Sequence, residues 1–159
     1  MTTHFSSPED RLAEHGLSLP TAASPVANYV PCVTVGPFLF VSGQLPMQNG
    51  VCQYTGRVGT DITLEEGQSA ARLCILNILA QVKTAVNGDW SRITRCVKLG
   101  GFIQATPDIS LPAVMNGASD AMVMALGEAG RHTRTTVGVA NLPLGAAVEI
   151  DALFEISSE

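Results

Sequence analysis

The chain switches repeatedly between two spacings of apolar residues, and the switches mark its elements. Phe38-Leu-Phe-Val-Ser42 is an almost unbroken apolar run, which predicts a strand covered on both faces. A strand over 29–35 precedes it, with Pro31 demoting its start to an edge or a bend. Ala70, Leu73, Cys74 and Ala80, with their neighbours through Val82, follow a helical period. This helix opens on the capping box Thr63-Leu-Glu-Glu66 and ends near Val86, at Asn87-Gly88. Residues 93–103 read as a strand. A second long helix starts at Asp108 or Ser110 and runs through Val114, Met115, Ala118, Met122 and Leu126 to Gly127. Strands over 133–140 and 147–156, joined by a Pro/Gly turn, close the chain. At the front, Ser7-Pro8-Glu9-Asp10 starts a short helix over 8–16. Residues 47–62 read as loop.

The order is therefore β-β-α-β-α-β-β behind a leading helix, an α+β arrangement. Hairpin-linked strands at both ends imply a mixed or mainly antiparallel sheet, and both long helices are expected on one face of it. A chain of 159 residues has nothing left to cover the other face. Composition sharpens that point: 46% of residues are hydrophobic and only 14% charged, so self-association is the simplest source of further burial. The formal net charge of -5, without a Lys/Arg run, argues against nucleic-acid binding. No leader layout and no apolar run of membrane-spanning length is visible, so a cytoplasmic protein is expected. Cys32, Cys52, Cys74 and Cys96 form no CxxC pair and read as buried thiols.

The candidate chemistry sits in the last thirty residues. Arg134 opens one strand. Glu149 interrupts the next, between Val148 and Ile150. A guanidinium and a nearby carboxylate on rigid strands suit a small anionic substrate whose protons must be moved. Each has a plainer reading. Arg134 could pair with Glu128 at the surface, and Glu149 shares its face with Asp151 and Glu155, as in a solvent-facing row. His132, two residues before Arg134, could support it.

Three segments, Val41-Ser42-Gly43-Gln44-Leu45-Pro46, Arg134-Thr-Thr136-Val and Leu142-Pro143-Leu-Gly-Ala-Ala-Val148-Glu149-Ile150, together resemble the Rid family, also called YjgF, for reactive intermediate deaminase. The resemblance spans roughly 28–156. It divides the chain into a leading helix and connector, 1–27, and a Rid-like domain, 28–159. It implies a chorismate-mutase-like subunit that assembles as a homotrimer, with sheets forming a central barrel and sites between subunits. It also implies hydrolysis of 2-imino acids and their enamine tautomers, of the 2-aminoacrylate type, to 2-oxo acids and ammonia, without metal or cofactor. Arg134 matches the residue that grips the carboxylate, and Glu149 the one that orients water. Tyr29, Ser42, Gly43 and Asn116 match pocket positions, and Thr136 stands where many members have cysteine. The longer front and the 52–59 loop mark a divergent subgroup. The alternatives are a carboxylate-binding module without turnover and, less favoured, an endoribonuclease.

Overall fold

A computed structural model describes residues 6–25 and 27–158. Residues 1–5, which contributed to the expectation that there is no leader, lie outside them, as do Val26 and Glu159. The described chain forms α1 (Pro8–Ala13), β1 (Cys32–Val35), β2 (Phe38–Gln44), β3 (Met47–Gln48), β4 (Val51–Cys52), α2 (Leu64–Ala85), β5 (Ile93–Ile103), α3 (Leu111–Leu126), β6 (Thr133–Gly138) and β7 (Val148–Ile156).

The expected capping box closes on α2: Thr63 Oγ1 accepts from Glu66 N, and Glu66 accepts from Thr63 N. Ser110 caps α3, with Pro112 in its first turn. β1 begins only after Pro31, which has no N–H to give a ladder. The segment expected to be loop contains the hairpin β3–β4. Its turn is Asn49-Gly50, both at positive φ (52° and 77°), the geometry that two-residue hairpins favour.

The main sheet runs β1-β2-β7-β5-β6, antiparallel except for β5 and β6, which are parallel. It is thus mixed. The last two strands are not a hairpin, as their closeness in sequence had suggested. The β5–α3–β6 unit makes β6 a parallel edge strand. The chain then crosses the end of the sheet through 139–147, longer than a tight turn requires, and β7 enters between β2 and β5. Burial explains the central place: Val148, Ile150, Ala152, Phe154 and Ile156 alternate along β7, all buried against the helices.

Both long helices lie on one face, as expected. Ile75, Ile78, Leu79, Met115 and Met122 meet Leu39, Val41, Leu99, Ile150 and Phe154 there. Only that face of β2 is covered. Phe38 and Phe40 are 39% and 49% exposed, so within one chain the strand is half-buried rather than enclosed. With Val33, Val35 and Val137 they form an open apolar face, into which a depression of about 430 Å³ is sunk. Burial pushes the Cys32 thiol up to about 11 and the Cys96 thiol to about 12, consistent with unreactive sulfur.

The leading helix is a clasp. Leu12 is fully buried, Glu9 pairs with Lys83 of α2 and accepts from Trp90 Nε1, and Arg11 Nη1 donates to the Ala125 carbonyl near the end of α3. A cation on the last turn of a helix complements its dipole. The connector then follows α2, where Gln81 Nε2 donates to the Ala23 carbonyl at 2.7 Å. Leu12→Ala is expected to cost about 2–5 kcal/mol, the range for emptying a closed leucine site, read as a lower midpoint in chemical denaturation.

Candidate active site

Arg134 lies on β6 opposite Leu99 of β5, and its side chain leaves on the helix face. There α3 receives it. Nη1 donates to Asn116 Oδ1 at 2.9 Å and Ser119 Oγ at 3.0 Å, and Nη2 to the Pro112 carbonyl at 3.3 Å. A guanidinium has five N–H donors. Among the described residues, the Nε donor and one on Nη2 remain unused, the pair that a carboxylate engages side-on. The pairing of Arg134 with Glu128 is not formed, since Glu128 pairs with Arg131 instead.

Ser119 is in turn held by His132. A carbonyl can only accept, so the 2.6 Å contact between His132 Nδ1 and the Gly130 oxygen places the ring proton on Nδ1. In the neutral ring Nε2 is then an acceptor for the Ser119 hydroxyl, at 2.9 Å. That leaves the Ser119 lone pairs facing Arg134. Burial, with Arg134 adding to it, lowers the His132 pKa despite the Gly130 carbonyl, which favours the neutral ring this chain needs. His132 thus supports Arg134 through Ser119. Ser119 is not among the residues expected from the sequence. Its signal was the three-residue helical spacing from Asn116, which puts both on one face of α3.

Thr136, two residues beyond Arg134, faces the same way, and its Oγ1 is buried without a partner. Arg134, Asn116 and Thr136 are therefore one group, at the β6 edge of the sheet. A cleft of about 320 Å³ opens beside Arg134, with Arg131, His132 and Asp120 on its walls.

The other expected residues form a second group. Glu149 lies opposite Phe102 in the β5–β7 ladder and points to the open face. It rests over Gly43, where a Cβ would meet its carboxylate oxygen, so a side chain at this position would push the Glu149 carboxylate aside. Burial, then the charge of Asp151, raises the Glu149 pKa above the ordinary carboxylate range. Ser42 Oγ donates to the Val30 carbonyl at 2.8 Å, tying the segment that carries Tyr29 to β2. Tyr29 is 52% exposed and lines, with Gly43, a pocket of about 140 Å³.

The expectation of a carboxylate near the guanidinium fails within one chain. Arg134 and Glu149 leave opposite faces of the sheet, on strands separated by β5. Their alternation with buried neighbours is the physical reason: each strand can aim its charged residue only where its apolar residues do not point. Among the described residues, no three or more His, Cys, Asp or Glu side chains converge as metal ligands would.

Comparison with known proteins bears on this geometry. Residues 9–155 match a family model described as "YjgF/chorismate mutase-like, putative endoribonuclease". The chain is 48% identical over 146 residues to Protein TCP17 of Trypanosoma cruzi, covering 90% of each. It is 29% identical over 140 residues to a 2-iminobutanoate/2-iminopropanoate deaminase of Dermatophagoides farinae, covering 88% of this chain and 94% of that one. The crystal structure of Atu1372, a protein of unknown function from Agrobacterium tumefaciens, superimposes with a TM-score of 0.88 at 50% identity, over 94% of each chain.

The buried Thr136 hydroxyl carries a stability prediction. Thr136→Val removes an unpaired polar atom, which costs about 1–3 kcal/mol when buried, so the unliganded variant should melt at or above the wild-type temperature. A lower melting temperature would show the hydroxyl to be paired.

Proposed function

The chain belongs to the YjgF/chorismate mutase-like family, and on that premise we propose that it hydrolyses 2-imino acids at sites shared between copies of itself. The observation that carries this reading is the split between the two groups of side chains. Arg134, Asn116 and Thr136 sit at the β6 edge; Tyr29 stands at the head of β1, the opposite edge, Ser42 and Gly43 lie on β2, and Glu149 on the central β7. Two complementary patches on different parts of one chain make a head-to-tail contact, which closes into a ring where the rotation between copies allows it. The bare apolar face of β1 and β2 supports the same packing, sheets inward and helices outward. The resemblance to the Rid family implies three copies, and three is the number proposed.

In such a site the carboxylate of a 2-imino acid pairs with the two free donors of Arg134, a charge-assisted contact worth about 1.5–3 kcal/mol. Glu149 of the adjoining copy holds a water near the C=N carbon and takes its proton as the C–O bond forms. The nitrogen, protonated in turn, leaves as ammonia, and the 2-oxo acid remains. Imine plus water thus becomes ketone plus ammonia, with no oxidant or cofactor. A raised carboxylate pKa suits both halves of that proton traffic. General acid–base help of about 10²–10⁴ in rate is enough for substrates that also hydrolyse unaided.

The runner-up is a 2-oxo acid binding module. It is favoured by Glu149 accepting no hydrogen bond among the described residues, so nothing on its own chain fixes its aim. The endoribonuclease of the family description has less support here, given a net charge of -5 and no Lys/Arg run.

Three outcomes test the reading, with imines generated in situ by an amino-acid oxidase. Arg134→Lys keeps the charge but loses the planar fork, so kcat/KM should fall at least tenfold. Oligomers mixed from Arg134→Ala and Glu149→Gln chains should regain activity that neither variant has alone; no recovery would overturn the shared site. Asp151→Asn removes the negative charge that helps raise the Glu149 pKa, so the acidic limb of the pH–rate profile should move to lower pH.

A further inference from the structure

The pocket beneath Tyr29 carries a statement about the substrate, one that rests on the reading above. It measures about 140 Å³ and lies between the connector that follows the leading helix, the end of β2 and the turn that precedes β7. A cavity of about 150 Å³ lined by apolar side chains is large enough to hold benzene. None of its lining residues is charged; Pro25, Pro31, Leu45, Met47 and Leu144 supply apolar wall, beside the polar Ser24 and Gln44. A carboxylate or ammonium placed there would lose hydration and find no opposite charge.

Leu144 is the telling residue. It is the lip of the pocket, 68% exposed, and its backbone sits at φ 57° and ψ 17°, a region that leucine seldom enters. Strain and exposure at one apolar residue are both unfavourable, and such positions cluster where ligands are held. Tyr29, also exposed, stands across the same opening.

Gly43 joins this pocket to the site. One side of it lines the pocket, and Glu149 rests against it. In a 2-imino acid the carboxylate and the side chain both leave the imine carbon, in different directions. With the carboxylate drawn to Arg134 of one copy and the imine carbon beside Glu149 of the next, the side chain is left to point past Gly43. We infer that the pocket bounded by Tyr29, Met47 and Leu144 receives that side chain, and that the preferred substrates are 2-imino acids with bulky uncharged side chains, of the kind formed from leucine, methionine or phenylalanine.

The experiment measures both turnover and binding. Imines are generated in situ from alanine, leucine, phenylalanine and glutamate, and the matching 2-oxo acids are titrated calorimetrically. Leucine- and phenylalanine-derived ligands should exceed the alanine-derived ligand by about ten- to a hundredfold in kcat/KM and in affinity, the range one apolar pocket supplies. The glutamate-derived ligand should rank last. Leu144→Lys, a change at an exposed position, should raise the glutamate-derived ligand relative to the leucine-derived one by at least tenfold. Equal values across the four ligands, or a ratio unmoved by Leu144→Lys, would overturn the side-chain pocket while leaving the Arg134 grip intact. Binding of none of the 2-oxo acids would overturn the grip itself. Binding that follows side-chain size without turnover would support the pocket and refute only the hydrolysis.

Discussion

Successive side chains of a strand leave opposite faces of its sheet, and that alternation governs this protein more than any single contact. It buries one side of β7 against two helices and turns Glu149 the other way. It turns Arg134, on the neighbouring parallel edge, toward α3. Two helices can cover one face of a five-stranded sheet and no more. The other face, rich in phenylalanine and valine, stays uncovered within the chain. The separation of Arg134 from Glu149 and the open apolar face are thus two results of the same geometry.

The polar groups are arranged to keep few charges in many uses. Arg134 is fixed by three acceptors from one helix, none of them charged, so among the described residues no carboxylate neutralises its positive charge. His132 is kept uncharged by burial and serves through a hydroxyl. Glu149, half-buried and near Asp151, holds its proton more tightly than an ordinary carboxyl group does. Rigid neutral support around a lone charge is a general way to build an anion site without a metal.

Much of this was legible in the chain. Thr63 and Glu66 announce α2, and residues 93–103 and Ser110 mark β5 and α3, because capping and periodicity are local matters. The candidate residues were legible too, through the three motif segments. Which of them meet was not. The neighbours of β7 are chosen by the whole sheet, and no local pattern shows that β6 pairs elsewhere. The two-residue strands β3 and β4 escaped notice because only the Asn49-Gly50 pair signalled them. Leu144 drew no attention, since its unusual backbone leaves no trace in composition.

The front of the chain behaves like a guy-rope. Glu9 and Leu12 stake it to the helices, the Ala23 carbonyl is pegged by Gln81, and Tyr29 hangs at the far end. The tyrosine's place is therefore set from both sides, by the Gln81 peg before it and by the Ser42 bond to the Val30 carbonyl just after it. A relative that starts at its first strand must steady the same ring by other means, and inserting or deleting one residue between the pegs would retune the mouth of the pocket without touching any residue that lines it.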